Sequence, residues 1–157
     1  MSHLDNDRRE IFRNLYYPER VRGLDIDRWV DYYADAGATS VCMDIKSQAY
    51  VYYDSKLAPK DPVLGTRDLA AELAAAARRR GIKWSAYIAP SEFECLPEAK
   101  RRDWHIRFED GKRTMRYRGR RLPVRSVFCW NSPYTDLFLS ILEEIAGRYR
   151  PDGFYLD

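Results

Sequence analysis

The feature that most constrains this chain is a repeated order: a helical segment, a tight turn and then a short apolar run. The helices are predicted to start near residues 25, 66 and 132, and the apolar runs follow at 39–45, 82–89 and 154–156. Consecutive parallel strands need a long crossover connection, and a helix is the usual one. The repeated order therefore predicts an α/β fold built on a parallel sheet.

The first two helices have recognisable ends in the sequence. Asp25 is a preferred N-cap residue, and Gly37 follows the last residue of the apolar face. Thr66 is predicted to cap the second helix, residues 67–80, and Gly81 to end it. Inside the first helix, apolar residues recur at the spacing of one helical face: Ile26, Trp29, Val30 and Tyr33.

The third helix is predicted to begin at Ser132, with Pro133 in the first helical position, and to run to Tyr149. Residues 11–17 form an apolar run that can supply one more strand before the first helix. The sheet is therefore predicted to have four strands. No glycine-rich phosphate loop follows any of them, which argues against a nucleotide-binding fold.

Two connections from a strand to the next helix are long, residues 46–65 and 90–131. In barrel enzymes such loops leave the C-terminal ends of the strands and build the active site. The second loop contains an alternating segment from Trp104 to Tyr117, interrupted by Asp110-Gly111, a dipeptide favoured in hairpin turns. We predict a small β-hairpin after the third strand, with its turn at residues 110–111 and its basic residues facing water.

The chain shows no sign of a membrane span or an export signal. Residues 1–9 are rich in charge and lack the apolar core of a secretory signal, and no apolar run reaches about 20 residues. The three cysteines, Cys42, Cys95 and Cys129, are far apart and are predicted to be reduced thiols. These features predict a cytoplasmic protein.

Positive charge is concentrated between Lys100 and Arg125, although the net charge of the chain is only +3. Clustered Lys and Arg can neutralise phosphates, so contact with nucleic acid is one interpretation. We favour a solvated loop, or a loop packed on an acidic partner surface, because charge runs alone are weak evidence for nucleic-acid binding.

Five motifs occur in a distinctive order and spacing. They are Asp44-Ile45-Lys46-Ser47-Gln48-Ala49-Tyr50, Gly81-Ile82-Lys83 leading to Ala86-Tyr87, Trp104 with Asp110-Gly111, Cys129-Trp130-Asn131-Ser132-Pro133-Tyr134, and Pro151-Asp152-Gly153-Phe154-Tyr155-Leu156-Asp157. Together they resemble the hypothetical glycosyl hydrolases related to α-L-fucosidases, which are (β/α)₈ TIM-barrel proteins, some linked to β-galactosidase trimerisation-type domains. The resemblance extends from about Asp25 to the last residue.

This resemblance implies that residues 1–157 are the N-terminal half of a catalytic barrel, with about four βα units and the hairpin as an insertion. It also implies a retaining glycosidase acting on O-glycosyl bonds, whose nucleophilic aspartate at the end of the fourth strand matches Asp157. Retaining hydrolysis needs a second carboxyl group about 5 to 5.5 Å away, acting as acid and then as base. That group would come from the other half of the barrel.

A closed barrel takes about 250 residues, and four strands leave an open sheet edge. We therefore expect a truncated gene product, a fragment, or a half-barrel completed by a second chain. Such a chain is expected to have little glycosidase activity alone.

The first binding candidates lie at the end of the second strand. Asp44 and Lys46 can hold sugar hydroxyls through charge-assisted hydrogen bonds, or they can form a local ion pair, and we weigh these interpretations equally. The loop that follows carries Tyr50, Tyr52 and Tyr53, whose rings can stack on a pyranose. We expect at least two of the three to pack the loop instead, and we retain Tyr50 as a binding candidate.

Further candidates flank the later loop. Tyr87 and Glu92 surround the end of the third strand, where a glutamate can bind a hydroxyl or orient the nucleophile, although a surface charge is the interpretation we favour slightly for Glu92. Trp130 and Asn131 can offer a sugar platform and a hydrogen-bonding partner, while Asn131 alternatively only shapes the start of the helix. No metal or organic cofactor is expected, since retaining hydrolysis uses two carboxyl groups.

The leading hypothesis is a glycoside hydrolase-like protein with a carbohydrate substrate. The alternative is a non-catalytic carbohydrate-binding or assembly module that lacks the acid/base half. We expect no membrane partner, do not favour nucleic acid, and allow for a second chain or oligomer that covers the open sheet.

Overall fold

A computed structural model of the chain describes residues 9–13, 15, 18–46, 50–89, 103–107, 114–117, 120–123 and 128–156. The elements in chain order are β1 (Glu10–Arg13), α1 (Pro18–Arg22), α2 (Ile26–Asp35), β2 (Ser40–Lys46), a 3₁₀ turn (Pro62–Leu64), α3 (Leu69–Arg80), β3 (Lys83–Ile88), β4 (Thr114–Tyr117), β5 (Arg120–Pro123), α4 (Tyr134–Tyr149) and β6 (Gly153–Leu156).

Four of the strands form one parallel sheet in the order β1-β2-β3-β6. A helix lies between each strand and the next in the chain, so all four strands run the same way and their C-terminal ends share one edge. β4 and β5 form a separate antiparallel hairpin inserted after β3. The prediction of four βα units with a hairpin insertion is confirmed.

β2 is the central element of the core, because each of its seven residues is buried. Val41, Met43 and Ile45 belong to the apolar cluster that also contains the buried faces of the helices. The alternate residues, which point to the other face of the sheet, include Cys42 and Asp44. A strand buried on both faces is what the sequence predicted for this segment.

The helix ends agree with the sequence at most positions. The Asp25 carboxylate accepts a hydrogen bond from the Arg28 amide at 3.0 Å, and Gly81 ends α3 in the left-handed conformation at φ 63°. Thr66 is not the cap of α3. Asp68 holds that position and accepts from the Ala71 amide at 2.9 Å, and its negative charge also suits the positive end of a helix.

Two other boundaries differ from the prediction. β1 covers Glu10–Arg13, whereas the predicted strand was 11–17, of which residues 14, 16 and 17 lie outside the described residues. Pro18 starts the unpredicted helix α1, at a position where its missing amide hydrogen is not needed. At the other long helix, Pro133 is the N-cap residue and α4 begins at Tyr134. The end of α4 at Tyr149 is as predicted.

The hairpin is present but shifted along the chain. β4 pairs with β5, with Tyr117 opposite Arg120, while the turn predicted at Asp110-Gly111 lies outside the described residues. His105, predicted to lie in the first hairpin strand, bridges to Phe128. The side chains of the hairpin, including its basic ones, lie outside the described residues.

The long loop after β2 is held against the last turns of α4. Glu144 accepts hydrogen bonds from the Ser55 hydroxyl at 2.6 Å and from the Lys56 amide at 2.7 Å. The Tyr149 hydroxyl donates to the Asp68 carboxylate at 2.7 Å, and the Tyr149 ring contacts Tyr53 edge-on. These contacts tie the loop to the helix layer.

We expect alkaline pH to weaken this attachment. Burial, and then the hydrogen bond to Asp68, raise the pKa of the Tyr149 hydroxyl above its ordinary value of 10.0. A group whose folded-state pKa is raised contributes its stability fully below the unfolded pKa and loses it as pH rises further. The free energy of unfolding, measured with urea between pH 8 and 11.5, should therefore fall above pH 10.

Tyr149→Phe should make that decline shallower, while Tyr32→Phe, an exposed change on α2, should leave it unaltered. An identical decline in the wild type and in Tyr149→Phe would contradict the role given to this hydroxyl.

Candidate functional site

A concave pocket of about 360 Å³ lies on the face of the sheet opposite the apolar helix layer. It is lined by residues from all four parallel strands: Glu10, Phe12, Cys42, Tyr87 and Tyr155. The register explains why they meet, since Phe12 pairs with Cys42 and Tyr87 pairs with Tyr155. The pocket is therefore built by strand pairing and not by one loop.

An aromatic row crosses this face. The Phe12 and Tyr87 rings have centroids 4.9 Å apart, and the Tyr87 and Tyr155 rings lie 5.3 Å apart and nearly parallel, at 17°. Phe12 is 47% exposed and Tyr155 is 55% exposed. Exposed aromatic faces of this kind give an apolar surface on which a flat ligand can stack.

The N-terminal end of the same face carries a carboxylate with hydroxyl partners. Glu10 Oε2 accepts a hydrogen bond from the Ser40 hydroxyl at 3.3 Å and a longer one from the Ser85 hydroxyl at 3.5 Å. These residues lie on the neighbouring strands β1, β2 and β3, so their side-chain hydrogen bonds connect three strands of the sheet. The aromatic row lies farther toward the C-terminal edge.

Asp44 is buried and fixes the chain segment that follows β1. Its Oδ2 accepts a hydrogen bond from the Leu15 amide at 2.7 Å, and the Tyr52 hydroxyl donates to the Leu15 carbonyl, also at 2.7 Å. Two buried residues thus hold the Leu15 backbone, one through its amide and the other through its carbonyl. Asp44 therefore holds the backbone of Leu15 in place at the C-terminal edge of the sheet.

Lys46 is also buried, and its Nζ donates to the Ala89 carbonyl at 3.0 Å. The register between β2 and β3 shifts at this point, since Asp44 pairs with Tyr87 while Lys46 pairs with Ile88. Ile45 is the extra residue of this bulge. Bulges of this kind redirect side chains and are common beside active sites.

The remaining sequence candidates are spread over the described structure. Tyr50 is half-buried in the loop after β2, and Tyr52 and Tyr53 are buried, which confirms packing for two of the three loop tyrosines. Trp130 is 46% exposed and packs against α4, with its ring centroid 5.8 Å from Tyr134.

Asn131 is exposed in the turn before α4. Of the contacts within the described ranges, none joins Trp130 or Asn131 to the aromatic row. Glu92 and Asp157 lie outside the described residues, as does Cys95.

Sequence reasoning missed Glu10, Phe12, Cys42 and Tyr155 as parts of this face, and it missed Leu15 as the residue whose backbone Asp44 holds. Tyr155 lies two residues before Asp157 in the sequence, and side chains alternate between the two faces along a strand. This spacing was a usable signal for Tyr155. Phe12 and Glu10 became visible only through the strand register, and Leu15 only through its backbone contacts.

Three further findings concern the described residues. Within the described part of the chain, no group of three or more His, Cys, Asp or Glu side chains is arranged to hold a metal ion. Cys42 and Cys129 form no disulfide within the described residues. Among the same residues, no helix combines the length and apolar character needed to cross a membrane.

Comparison with known families gives a match over most of the chain. The family described as hypothetical glycosyl hydrolase 6 matches residues 25–157, which is most of the chain. The match starts at the N-cap of α2 and includes β2, β3 and β6. No protein of curated function matches the sequence.

The fold is similar to solved fucosidase structures. Alpha-L-fucosidase isoenzyme 2 from Paenibacillus thiaminolyticus aligns with a TM-score of 0.77 at 24% identity, over 95% of this chain and 23% of that one. Thermotoga maritima alpha-fucosidase aligns with a TM-score of 0.58 at 20% identity, over 86% of this chain and 28% of that one.

A fucosidase mutant from Ruminococcus gnavus, solved with fucose, aligns with a TM-score of 0.61 at 15% identity, over 96% of this chain and 33% of that one. These likenesses show the fold, a partial (β/α)₈ barrel. The chain spans about a quarter to a third of the length of these structures.

We expect the Asp44 and Tyr52 bonds to Leu15 to contribute measurably to stability. Asp44→Ala leaves the buried Leu15 amide without this acceptor and should lower the free energy of unfolding by about 1 to 3 kcal/mol, while Tyr52→Phe should cost about 1 kcal/mol. Urea denaturation measures both. Because the two side chains hold the backbone of the same residue, the double variant should lose less than the sum of the single losses.

Asp44→Asn retains an acceptor oxygen and should lose less than Asp44→Ala. Strictly additive losses, or equal losses for Asn and Ala, would contradict this arrangement.

Proposed function

This chain belongs to the hypothetical glycosyl hydrolase 6 family, and we propose that residues 1–157 form the N-terminal half of the catalytic barrel of a retaining glycosidase. In this proposal the barrel hydrolyses an O-glycosyl bond, and Asp157 is the nucleophile. The names of the structurally similar proteins make an α-L-fucoside the first substrate to test.

The observation that carries the proposal is the position at which β6 ends. Leu156 is the last residue of β6 and pairs with Ile88, so β6 ends at the same edge as β2 and β3. Asp157 is the next residue in the sequence, two residues after Tyr155, whose ring faces the pocket. Strand alternation supports the same face for Asp157 and Tyr155, and active sites of barrel enzymes lie at this edge.

The proposed chemistry needs a carboxylate beside a sugar-binding surface. A carboxylate oxygen of Asp157 attacks the anomeric carbon, the glycosidic bond breaks, and the leaving oxygen takes a proton from an acid group. Water then cleaves the glycosyl ester with that group acting as base. The aromatic row formed by Phe12, Tyr87 and Tyr155 is suited to bind the sugar ring.

We propose that the acid/base group comes from further strands that complete the barrel. β1 and β6 are the edges of the parallel sheet in the described residues, and each pairs there with one neighbour. Phe154 is 37% exposed and Leu156 is 50% exposed on β6, so apolar side chains remain in water at this edge. Another part of the polypeptide, or a second chain, would cover them. We also propose that the protein is cytoplasmic and that it does not bind nucleic acid.

A second candidate function is carbohydrate binding without turnover. The aromatic row supports it, because its rings form a surface that does not depend on Asp157. Sugar binding that survives Asp157→Asn, together with absent glycosylation of the wild type, would favour this alternative.

We expect Asp157 to form a covalent ester with an activated sugar. In 2-deoxy-2-fluoro-α-L-fucosyl fluoride the fluoride departs with its electron pair and needs no proton, so the first step can proceed without the acid group. Incubation followed by intact and peptide mass spectrometry should show one added glycosyl group, on Asp157.

Asp157→Asn should abolish this labelling, and Asp136→Asn, an exposed change in the first turn of α4, should leave it unchanged. A glycosyl group on another residue would contradict the nucleophile assignment.

We also expect sugar affinity to depend on the aromatic row. Tyr155→Ala removes the ring stacked on Tyr87 and should weaken monosaccharide binding by about 3- to 10-fold, as loss of one aromatic contact does. Titration calorimetry or NMR line-shape analysis measures the Kd. Tyr32→Ala removes an exposed ring from α2 and is the matched control, and equal affinities for the two variants would exclude the row as the binding surface.

A further inference from the structure

Trp130 presents an exposed indole ring in the turn before α4, apart from the aromatic row of the pocket. Its side chain is 46% exposed, whereas Trp29 and Trp84 are buried. A single exposed apolar residue is ordinary on a protein surface, so the way in which the ring is held decides what it can do.

The turn that carries Trp130 is fixed by hydrogen bonds on both sides of the ring. The Cys129 amide donates to the Trp104 carbonyl at 2.7 Å. The Cys129 carbonyl accepts from the Ser132 amide at 3.0 Å and from the Ser132 hydroxyl at 2.6 Å. The Thr135 hydroxyl donates to the Trp130 carbonyl. The backbone is therefore preorganised, and a ligand that binds the ring does not have to order it.

The indole ring is also supported from the core. It contacts the Phe138 ring edge-on, with centroids 5.2 Å apart and planes at 80°, and it lies 5.8 Å from the Tyr134 ring. Phe138 and Tyr134 are both buried, so this support is part of the packed interior. Asn131, the next residue, is exposed and has an amide that both donates and accepts hydrogen bonds.

The position of Trp130 follows from the direction of α4. This helix has 16 residues, and it ends at Tyr149, four residues before β6 begins at Gly153. Its length is about 24 Å, so its first turn lies far from the N-terminal end of β6. Trp130 therefore lies toward the C-terminal side of the sheet, the side on which barrel enzymes bind their substrates.

We propose that Trp130 and Asn131 form a second sugar platform, outside the pocket, which binds the ring on the leaving-group side of the scissile bond. The apolar face of a pyranose stacks on the indole, and the Asn131 amide bonds a hydroxyl group of the same ring. The substrate class is then an oligosaccharide and not the glycoside of a small alcohol. The inference rests on the proposed function and adds this class of substrate to it.

A sugar fits this surface better than a protein partner does. A stable protein interface takes about 800 Å² from each partner, while this platform consists of one ring beside a polar residue. One aromatic face with an adjacent amide matches one pyranose ring, which has an apolar face and a rim of hydroxyl groups.

The test uses three sugars and the indole N–H signals of the four tryptophans in NMR spectra of the isotope-labelled chain. Lactose, which contains no fucose, should shift the Trp130 signal and leave those of the buried Trp29 and Trp84 unchanged. L-Fucose should shift the amides of Tyr87 and Tyr155 and leave the Trp130 indole unchanged. 2′-Fucosyllactose, which joins the two sugars, should shift both sets and bind about 3- to 10-fold more tightly than L-fucose.

Variants of the ring separate stacking from a general disturbance of the turn. Trp130→Ala should weaken the binding of lactose and 2′-fucosyllactose by about 3- to 10-fold and leave the Kd of L-fucose unchanged. Trp130→Phe keeps an aromatic face and should retain most of the affinity for lactose. Tyr32→Ala, which removes an exposed ring from α2, should alter none of the three. Unaltered lactose affinity in Trp130→Ala, or equal losses for lactose and L-fucose, would overturn the proposal.

Failure of this inference can be separated from failure of the proposed function. If lactose shifts the Trp130 indole while L-fucose shifts no signal of the sheet, the platform stands and the fucoside assignment falls. If L-fucose shifts Tyr87 and Tyr155 while neither lactose nor 2′-fucosyllactose shifts the Trp130 indole, the proposed function stands and the platform is overturned. Lactose binding at Trp130 without tighter binding of 2′-fucosyllactose than of L-fucose would overturn the leaving-group role.

Discussion

The burial of β2 on both faces, with a parallel neighbour on each side, is the constraint on which the rest of the structure depends. It places the C-terminal ends of β1, β3 and β6 at one edge and brings Asp44 and Lys46 to that edge inside the protein. One face of β2 joins the apolar helix layer, and the other forms the floor of the pocket through Cys42. The candidate site is therefore a consequence of sheet topology.

Local chemistry in the sequence predicted the elements well. Asp25 and Gly81 mark helix ends through a carboxylate cap and a left-handed glycine, and both are local effects. Thr66 failed as the predicted cap of α3 because Asp68, a residue with the same local preference, follows two positions later. Asp68 caps the helix, and the choice between the two residues depends on tertiary packing that a local pattern does not contain.

The candidate site was predicted less completely, for a related reason. Asp44, Lys46 and Tyr87 were identified because each lies at a strand end. The partners that give them their environment come from other strands, and those partners depend on a register that the sequence does not state. The Leu15 backbone between Asp44 and Tyr52, and the stack of Tyr87 on Tyr155, became visible only in three dimensions. Asp44 holds this backbone in place, and its sugar-binding role stays a prediction.

The proposed function requires that a sugar binds at the C-terminal edge of this sheet. Titration of the isotope-labelled chain with an L-fucose-configured iminosugar, followed by amide NMR, locates such binding without requiring turnover. We expect shifts to concentrate at Tyr87, Ala89, Tyr155 and Leu156, while the amides of α2 stay unchanged. Shifts confined to the helix layer would contradict it.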